Sequence, residues 1–188
     1  PRSKAERENY DVVAWARAEA QQPRFTVRSD KVPLNGRTLL DVGCGLGDLQ
    51  AYLKERGIAA DYCGVDILAE MIESAARLNP HGRFVCGDVF DLNAGTLGSD
   101  ERFDVVFGSG MLNLELGNNH AFLPEALERM LGLSREHMVV NLLHARSEKQ
   151  YPHCTYYDPD AVLKILEPMD CNVRLIDDYL PNDFTIIC

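Results

Sequence analysis

From residue 37 onward, apolar runs of strand length alternate with stretches of helical periodicity. In chain order the first five apolar runs are TLLDV, DYCGVDI, RFVCGDV, FDVVFGS and MVVNLLH, and helical stretches or short polar segments separate them. Strands that are apolar on both faces and are connected by helices pair in parallel, because a parallel connection needs room to cross back over the sheet. The pattern predicts one parallel sheet that helices cover on both faces.

The last two apolar runs, NVRLIDD and DFTIIC, differ from the others because only the few residues YLPND separate them. A right-handed parallel crossover needs about a dozen residues or more. These two strands are therefore predicted to pair antiparallel. The length of 188 residues fits one domain. We divide it into an N-terminal helix and lid segment (1–36), with an amphipathic helix at residues 3–22, and an α/β core (37–188).

Charge is distributed unevenly along the chain. Residues 1–37 hold eight Lys/Arg and five Asp/Glu, a net charge of +3, so that the total of −10 leaves −13 for residues 38–188. A chain-wide electrostatic footprint for nucleic acid is therefore excluded, and only the first segment offers a local basic patch. The six cysteines form no CxxC pair and no stretch reaches membrane-spanning length. We expect a cytoplasmic protein without a disulfide framework, a metal site or a membrane contact.

A glycine-rich turn follows the first predicted strand, in LLDVGCGLGDL. Gly43, Gly45 and Gly47 lie between a strand and a helix, where glycine lets the backbone turn tightly and approach a ligand closely. Asp48 stands where the dinucleotide-binding fingerprint has its third glycine, and a carboxylate there is unfavourable beside a pyrophosphate. Together with Asp41, this loop indicates a cationic ligand without phosphate and argues against a nicotinamide-dependent dehydrogenase.

LLDVGCGLGDL resembles motif I of the class I S-adenosylmethionine-dependent methyltransferases. The resemblance implies a Rossmann-like fold with seven strands in the order 3-2-1-4-5-7-6, the last antiparallel. It also implies the cofactor S-adenosylmethionine, with S-adenosylhomocysteine as product. Asp66, at the end of the second strand, matches the family's acceptor for the ribose hydroxyls, and Asp88, after the third strand, matches its contact to the adenine amino group. FDVVFGSGMLNL resembles the fourth-strand motif that lines the methyl-transfer site.

Further cofactor contacts are predicted around these motifs. Ile67 and Met71 are candidates to flank the adenine, although core packing explains them equally well, and Val89 and Ser109 complete the set. The segment WARAEAQQPRF and the ending YLPNDFTIIC resemble a group of small bacterial methyltransferases without an agreed substrate. In the wider family an arginine before motif I often pairs with the cofactor's carboxylate. We carry this role to Arg24, for which a surface position is the open alternative.

Methyl transfer is an in-line displacement that needs alignment, exclusion of water and, for a hydroxyl or protonated nitrogen, a base. We expect His144, which ends the fifth apolar run, to be this base and Asn113 to orient the acceptor, with capping or surface roles left open for both. The remaining candidates after the fourth and fifth strands are Ser109, Glu115, His120, Tyr151, His153, Tyr156 and Tyr157.

The sequence therefore predicts methyl transfer to an oxygen or nitrogen atom of a small molecule. The fourth-strand motif lacks an Asn-Pro-Pro-Tyr type sequence and a Pro-Cys pair, which argues against nucleic-acid enzymes that methylate amino groups and against those that methylate cytosine C5 through a cysteine. Two alternatives remain open. One is a cofactor-binding module without catalysis, and the other is an RNA methyltransferase that grips phosphates with its basic N-terminal segment. A monomer or a homodimer is expected.

Overall fold

A computed structural model describes residues 23–26, 31–97 and 102–188. The amphipathic helix predicted for residues 3–22 lies outside these ranges, while residues 23–26 form a helical turn. None of the helices within the described ranges combines the length and the apolar composition that a membrane crossing requires.

One seven-stranded sheet runs through the described residues in the order β3-β2-β1-β4-β5-β7-β6. Strands β1 to β5 are parallel, and β7 pairs antiparallel with both β5 and β6. The predicted strand order and the antiparallel end are therefore confirmed. The strands are β1 (Thr38–Val42), β2 (Asp61–Asp66), β3 (Arg83–Cys86), β4 (Phe103–Ser109), β5 (Ser134–Leu143), β6 (Arg174–Ile176) and β7 (Asp183–Ile187).

Four helices of eight or more residues lie between these strands in the described ranges. Asp158 shows how one of them begins, because its side chain accepts a hydrogen bond from the amide of Asp160, and Pro159 occupies the first turn. The helices are α1 (Asp48–Glu55), α2 (Ala69–Leu78), α3 (Asn119–Leu133) and α4 (Pro159–Leu166).

Two boundaries differ from the sequence prediction. Strand β5 begins at Ser134, directly after α3, whereas the apolar run starts only at Met138. The strand extends back because Ser134 pairs with Phe103 of β4, so backbone pairing continues into a polar stretch. The segment predicted as polar after β3 also contains short helical turns at Val89–Asp91 and Ala94–Leu97.

The central strand β4 shows how the core lies on both faces of the sheet. Val106 packs into the apolar cluster on one face, and its neighbours Val105 and Phe107 pack into the cluster on the other face. Successive side chains of a strand point to opposite faces, so a strand covered on both sides must be apolar throughout. β1 has β2 on one side and β4 on the other, so the strand order reverses direction next to β1. Open α/β sheets bind ligands at the carboxyl ends of the strands where the order reverses in this way.

Candidate functional site

A cavity of about 720 Å³ opens at the carboxyl edge of the sheet. The loops that follow β1, β2, β3, β4 and β5 all contribute to its lining. Ligand sites for small molecules occupy about 300 to 1,000 Å³. The cavity is therefore large enough for a small organic ligand at the switch between β1 and β4.

The glycine loop forms one wall of this cavity. Gly43, Gly45 and Gly47 have φ angles of 71°, 54° and 78°, in the left-handed region that side chains with a Cβ disfavour. A Cβ atom on Gly43 would lie 2.6 Å from the Cβ of Met111, in the turn after β4. Glycine is required here because the loop turns sharply and also passes close to a neighbouring element.

Asp41 lies at the end of β1 and lines the cavity, with 4% of its surface exposed. The hydroxyl of Tyr62, on β2, donates a hydrogen bond of 2.7 Å to its Oδ2 atom. Burial, and then the negative charge of Asp41, raise the pKa of Tyr62 well above its ordinary value. The phenol therefore keeps its proton and holds the carboxylate in one orientation.

Tyr62 was not among the residues predicted from the sequence, although the register between β1 and β2 explains how it reaches Asp41. Asp41 lies directly opposite Gly64 of β2, two residues after Tyr62. A Cβ atom on Gly64 would lie 2.9 Å from the Tyr62 hydroxyl oxygen. The missing side chain at Gly64 leaves the space through which the phenol reaches the carboxylate.

Asp66 joins the glycine loop to the turn that leads into α2. Its Oδ2 accepts a hydrogen bond from the amide of Gly45, and its Oδ1 accepts one from the amide of Leu68, both at 3.0 Å. A carboxylate has about four lone-pair sites, so two such bonds leave capacity for hydroxyl donors of a ligand. Asp88 is held similarly, because it accepts from the amide of Phe90 at 3.0 Å.

The other predicted cofactor contacts also reach the cavity. Ile67, Met71, Val89 and Ser109 all belong to its lining, and 65% of the Ile67 surface is exposed. The hydroxyl oxygen of Ser109 is buried without a hydrogen-bond partner among the described residues. Buried polar atoms are nearly always hydrogen-bonded, so this hydroxyl suits a polar group of a bound ligand.

Arg24 lines the cavity but is anchored to the far end of the chain. Its Nε donates to Oδ1 of Asp183 at 2.9 Å, and its Nη2 donates to Oδ2 at 2.5 Å. Both residues are buried, with 3% and 0% of their surfaces exposed. The predicted contact between Arg24 and a cofactor carboxylate stays a prediction, and Asp183 is the partner that sequence reasoning missed.

The structure does not bring His144 to the cavity lining. Its Nδ1 accepts a hydrogen bond from the amide of Arg146, and its ring packs edge-on against Phe184 at 5.4 Å. Burial, and then the charge of Arg146, lower the pKa of His144 below its ordinary value. The geometry explains a neutral, packed histidine and gives no support to the expected role as a base.

Asn113 does line the cavity, where its side chain connects two loops. Its Oδ1 accepts a hydrogen bond of 3.0 Å from the amide of Leu143, at the end of β5. Its backbone carbonyl accepts another, of 2.9 Å, from the amide of Thr155. Asn113 therefore positions the loop after β4 against the loop after β5.

These two loops form a short ribbon above the sheet. Leu114 bridges antiparallel to Cys154, and the amide of Glu115 donates to the carbonyl of His153 at 3.0 Å. The hydroxyl of Thr155 donates to Oε2 of Glu115 at 2.9 Å. The side-chain amide of Asn119, which sequence reasoning missed, donates to the carbonyl of Leu114.

The remaining candidates differ in whether they line the cavity. Tyr151, His153 and Tyr156 line the cavity, whereas Glu115, His120 and Tyr157 do not. Tyr157 instead donates to the carbonyl of Leu112, and the ring of His120 packs against Tyr157. Lys149 also lines the cavity and was not among the sequence candidates.

Comparisons with known proteins agree with this geometry. Residues 39–135 match a family described as a methyltransferase domain. The chain is 31% identical over 158 residues to Rv1506c of Mycobacterium tuberculosis, whose name places it provisionally among methyltransferases; the match covers 78% of this chain and 89% of the relative.

Two solved structures show the same fold. One is an S-adenosylmethionine-dependent methyltransferase from Aquifex aeolicus, with a TM-score of 0.70, 18% identity, and 97% of this chain and 98% of the other covered. The second is 1,6-didemethyltoxoflavin-N1-methyltransferase from Burkholderia thailandensis, solved with 1,6-didemethyltoxoflavin and S-adenosylhomocysteine bound. It has a TM-score of 0.65, 17% identity, and 95% of this chain and 82% of the other covered.

Proposed function

Because the chain belongs to the methyltransferase domain family, we propose that it transfers the methyl group of S-adenosylmethionine to an oxygen or nitrogen atom of a small molecule. The observation that carries the proposal is the convergence of Asp41, Asp66 and Asp88 on one cavity beside the glycine loop. Three carboxylates at strand ends suit a ligand rich in amino and hydroxyl groups.

The residues present fit this cofactor. Asp41 is oriented to accept from a charged amino group, Asp66 keeps lone pairs for the ribose hydroxyls, and Asp88 faces the cavity where the adenine amino group is expected. The unpartnered hydroxyl of Ser109 offers a further polar contact. When bound, the cofactor supplies a methyl group on a positively charged sulfur.

Apolar contacts complete the proposed cofactor site. Ile67, Met71 and Val89 line the cavity next to Asp66 and Asp88, so they are proposed to flank the adenine. The exposed surface of Ile67 favours this role over core packing.

On the acceptor side, Asn113 is a positioning residue in this proposal, because its side chain holds the loop after β4. His144 receives no catalytic role, since its ring packs against Phe184. The cavity volume supports a small acceptor, as does the small molecule bound in the Burkholderia structure. The lid segment at residues 1–36, the cytoplasmic setting and the monomeric or homodimeric state stay predictions.

The proposal is tested with S-adenosylmethionine that carries an isotopically labelled methyl group. The purified protein is incubated with a cell extract, which is then separated into small-molecule, protein and RNA fractions. We expect label in the small-molecule fraction. At a cofactor concentration below its dissociation constant, Asp66→Ala should give roughly tenfold to a hundredfold less label than the wild-type protein, because the ribose acceptor is lost.

Three results contradict the proposal. Label in the RNA fraction supports the RNA alternative, and label in the protein fraction indicates a macromolecular acceptor. Binding of S-adenosylmethionine without label in any fraction supports the non-catalytic module.

A further inference from the structure

Charge divides the cavity into two ends. All the carboxylates in the described lining are those of Asp41, Asp48, Asp66 and Asp88, which lie at or just after the carboxyl ends of β1, β2 and β3. The loop after β5 contributes Lys149 instead, while Arg24, which also lines the cavity, is paired with Asp183. The end of the cavity lined by Lys149, Tyr151, His153, Leu114 and Leu116 is called the acceptor pocket below.

Aromatic rings form one part of the acceptor pocket. The rings of Tyr151 and His153 lie 5.6 Å apart with a tilt of 38°, and Nζ of Lys149 lies 5.0 Å from the centre of the Tyr151 ring. Rings at this separation make favourable offset contacts, and a flat ligand can extend such a stack. The pocket therefore combines a flat apolar surface with a single flexible ammonium group.

The loop that carries these rings is held in place by its own hydrogen bonds. The amide of Tyr151 donates to the hydroxyl of Tyr156, and the amide of Cys154 donates to the carbonyl of Tyr151, both at 3.0 Å. The ribbon between Leu114 and Cys154 joins this loop to the one after β4. The rings are therefore positioned before any ligand arrives, which lowers the entropy lost on binding.

Exposed leucines form another part of the acceptor pocket. Leu114 and Leu116 line the cavity, yet 48% and 60% of their surfaces are exposed. Exposed apolar side chains that border a cavity are typical of ligand-binding sites. These side chains favour a ligand with an apolar body and disfavour a sugar or a polyol.

We propose that the acceptor pocket binds an aromatic acceptor whose reacting oxygen or ring nitrogen is ionised. This inference rests on the proposed function and specifies its substrate class. The protein carries a net charge of −10, so a local ammonium group is needed to favour an anion at this end of the cavity. The rings of Tyr151 and His153 and the two leucines bind the aromatic body.

Methyl transfer to such an acceptor needs no base from the protein. The acceptor loses its proton to solvent before it binds, and its lone pair then forms the bond to the methyl carbon. The carbon–sulfur bond breaks, and its electron pair stays on sulfur. An anion and a sulfonium cation thus give two neutral products, which agrees with the position of His144 outside the cavity lining.

The test uses two probes that differ by one methyl group, 4-nitrophenol and 4-nitroanisole. Their affinities for the protein saturated with S-adenosylhomocysteine are measured by ligand-observed NMR, at a pH above the pKa of the phenol. We expect the phenolate to bind about fivefold more tightly than its methyl ether, since a partly exposed ion pair contributes up to about 1 kcal/mol.

Two variants separate the contributions of charge and ring. Lys149→Gln is expected to abolish the preference for the phenolate and leave the ether unaffected, whereas Tyr151→Ala weakens both probes alike. Lys164→Gln, which removes an exposed lysine of α4 outside the cavity lining, is the matched control and changes neither affinity.

The outcomes distinguish this inference from the function on which it rests. Failure of S-adenosylhomocysteine to bind contradicts the proposed function itself. If it binds, three results overturn the acceptor proposal alone: neither probe binds, both probes bind equally, or the preference survives in Lys149→Gln.

Discussion

At the scale of single residues, the orientation of Asp41 depends on Tyr62. The carboxylate is buried, and the phenol donates to one of its oxygen atoms at 2.7 Å. Hydrogen bonds to a charged group contribute about 1.5 to 3 kcal/mol, and fixing the acceptor in advance lowers the cost of binding. Under the proposed function, we therefore expect Tyr62 to be a positioning residue for the amino group of the cofactor.

We predict that Tyr62→Phe weakens binding of S-adenosylhomocysteine about tenfold, because Asp41 loses its orienting donor. The matched ligand is 5′-methylthioadenosine, which lacks the amino-acid part and should bind the variant and the wild-type protein equally. Calorimetric titration of both ligands measures the difference. An equal loss for both ligands would indicate general damage to the fold and would contradict the assigned role.

At this scale, the sequence reveals the position of a residue where that residue lies near a recognisable strand end. Asp41, Asp66 and Asp88 each end a strand or follow it closely, so the parallel sheet brings them to one edge. Tyr62 could not be found in this way, because its reach to Asp41 depends on the register between β1 and β2.

His144 shows that following a strand end does not by itself bring a residue to the cavity. It follows the last residue of β5, yet its ring turns toward Phe184, which the antiparallel strand β7 provides. Lys149 was not predicted because it lies in a loop without periodicity, which the ribbon joins to the loop after β4 beside the cavity.

At the scale of elements, the turn between β1 and α1 determines how closely the site can pack. Gly43 and Gly57 have similar φ angles, 71° and 67°. A Cβ atom on Gly43 would meet Met111 at 2.6 Å, whereas one on Gly57 would have no atom within 4 Å. Comparing alanine substitutions at these two glycines therefore distinguishes the cost of a left-handed backbone from the cost of a steric clash.

We predict that Gly43→Ala lowers the free energy of unfolding more than Gly57→Ala does. A left-handed alanine costs about 1 to 2 kcal/mol at either position, and only Gly43 adds the clash with Met111. Urea denaturation measures both variants. Binding of S-adenosylhomocysteine should weaken in Gly43→Ala alone, and equal effects of the two substitutions would show that crowding at the turn is unimportant.

The alternation of strands and helices was predictable because apolar runs on both faces leave few other arrangements. The ends of the strands were harder to predict. Ser134 begins β5 because its backbone pairs with that of Phe103, and the polarity of the side chains does not reveal this pairing.

At the scale of the whole molecule, the ion pair between Arg24 and Asp183 joins positions 159 residues apart. It connects the segment before β1 to β7, beside the same cavity. Breaking a buried pair of this kind costs about 3 to 5 kcal/mol, because one charge stays buried without its partner. No local sequence pattern relates two residues at this separation, which is why the pairing could not be predicted.

At the carboxyl edge of the sheet, the strands bring their acidic residues to one cavity, where we propose that these residues bind one cofactor. Strand β2 supplies its own control, because Asp61 begins the strand and Asp66 ends it. Asp61 is exposed at the opposite edge and does not line the cavity. Comparing substitutions of Asp61 and Asp66 therefore tests whether cofactor binding depends on the carboxyl edge of the sheet or on any carboxylate of β2.

The most direct measurement is calorimetric titration of S-adenosylhomocysteine into the wild-type protein, Asp66→Ala and Asp61→Ala. We expect micromolar binding to the wild-type protein, with a loss of about 1.5 to 3 kcal/mol, or roughly tenfold to a hundredfold, in Asp66→Ala. Asp61→Ala should bind like the wild-type protein. A folded wild-type protein that does not bind the ligand, or equal affinities of the two variants, would contradict the account.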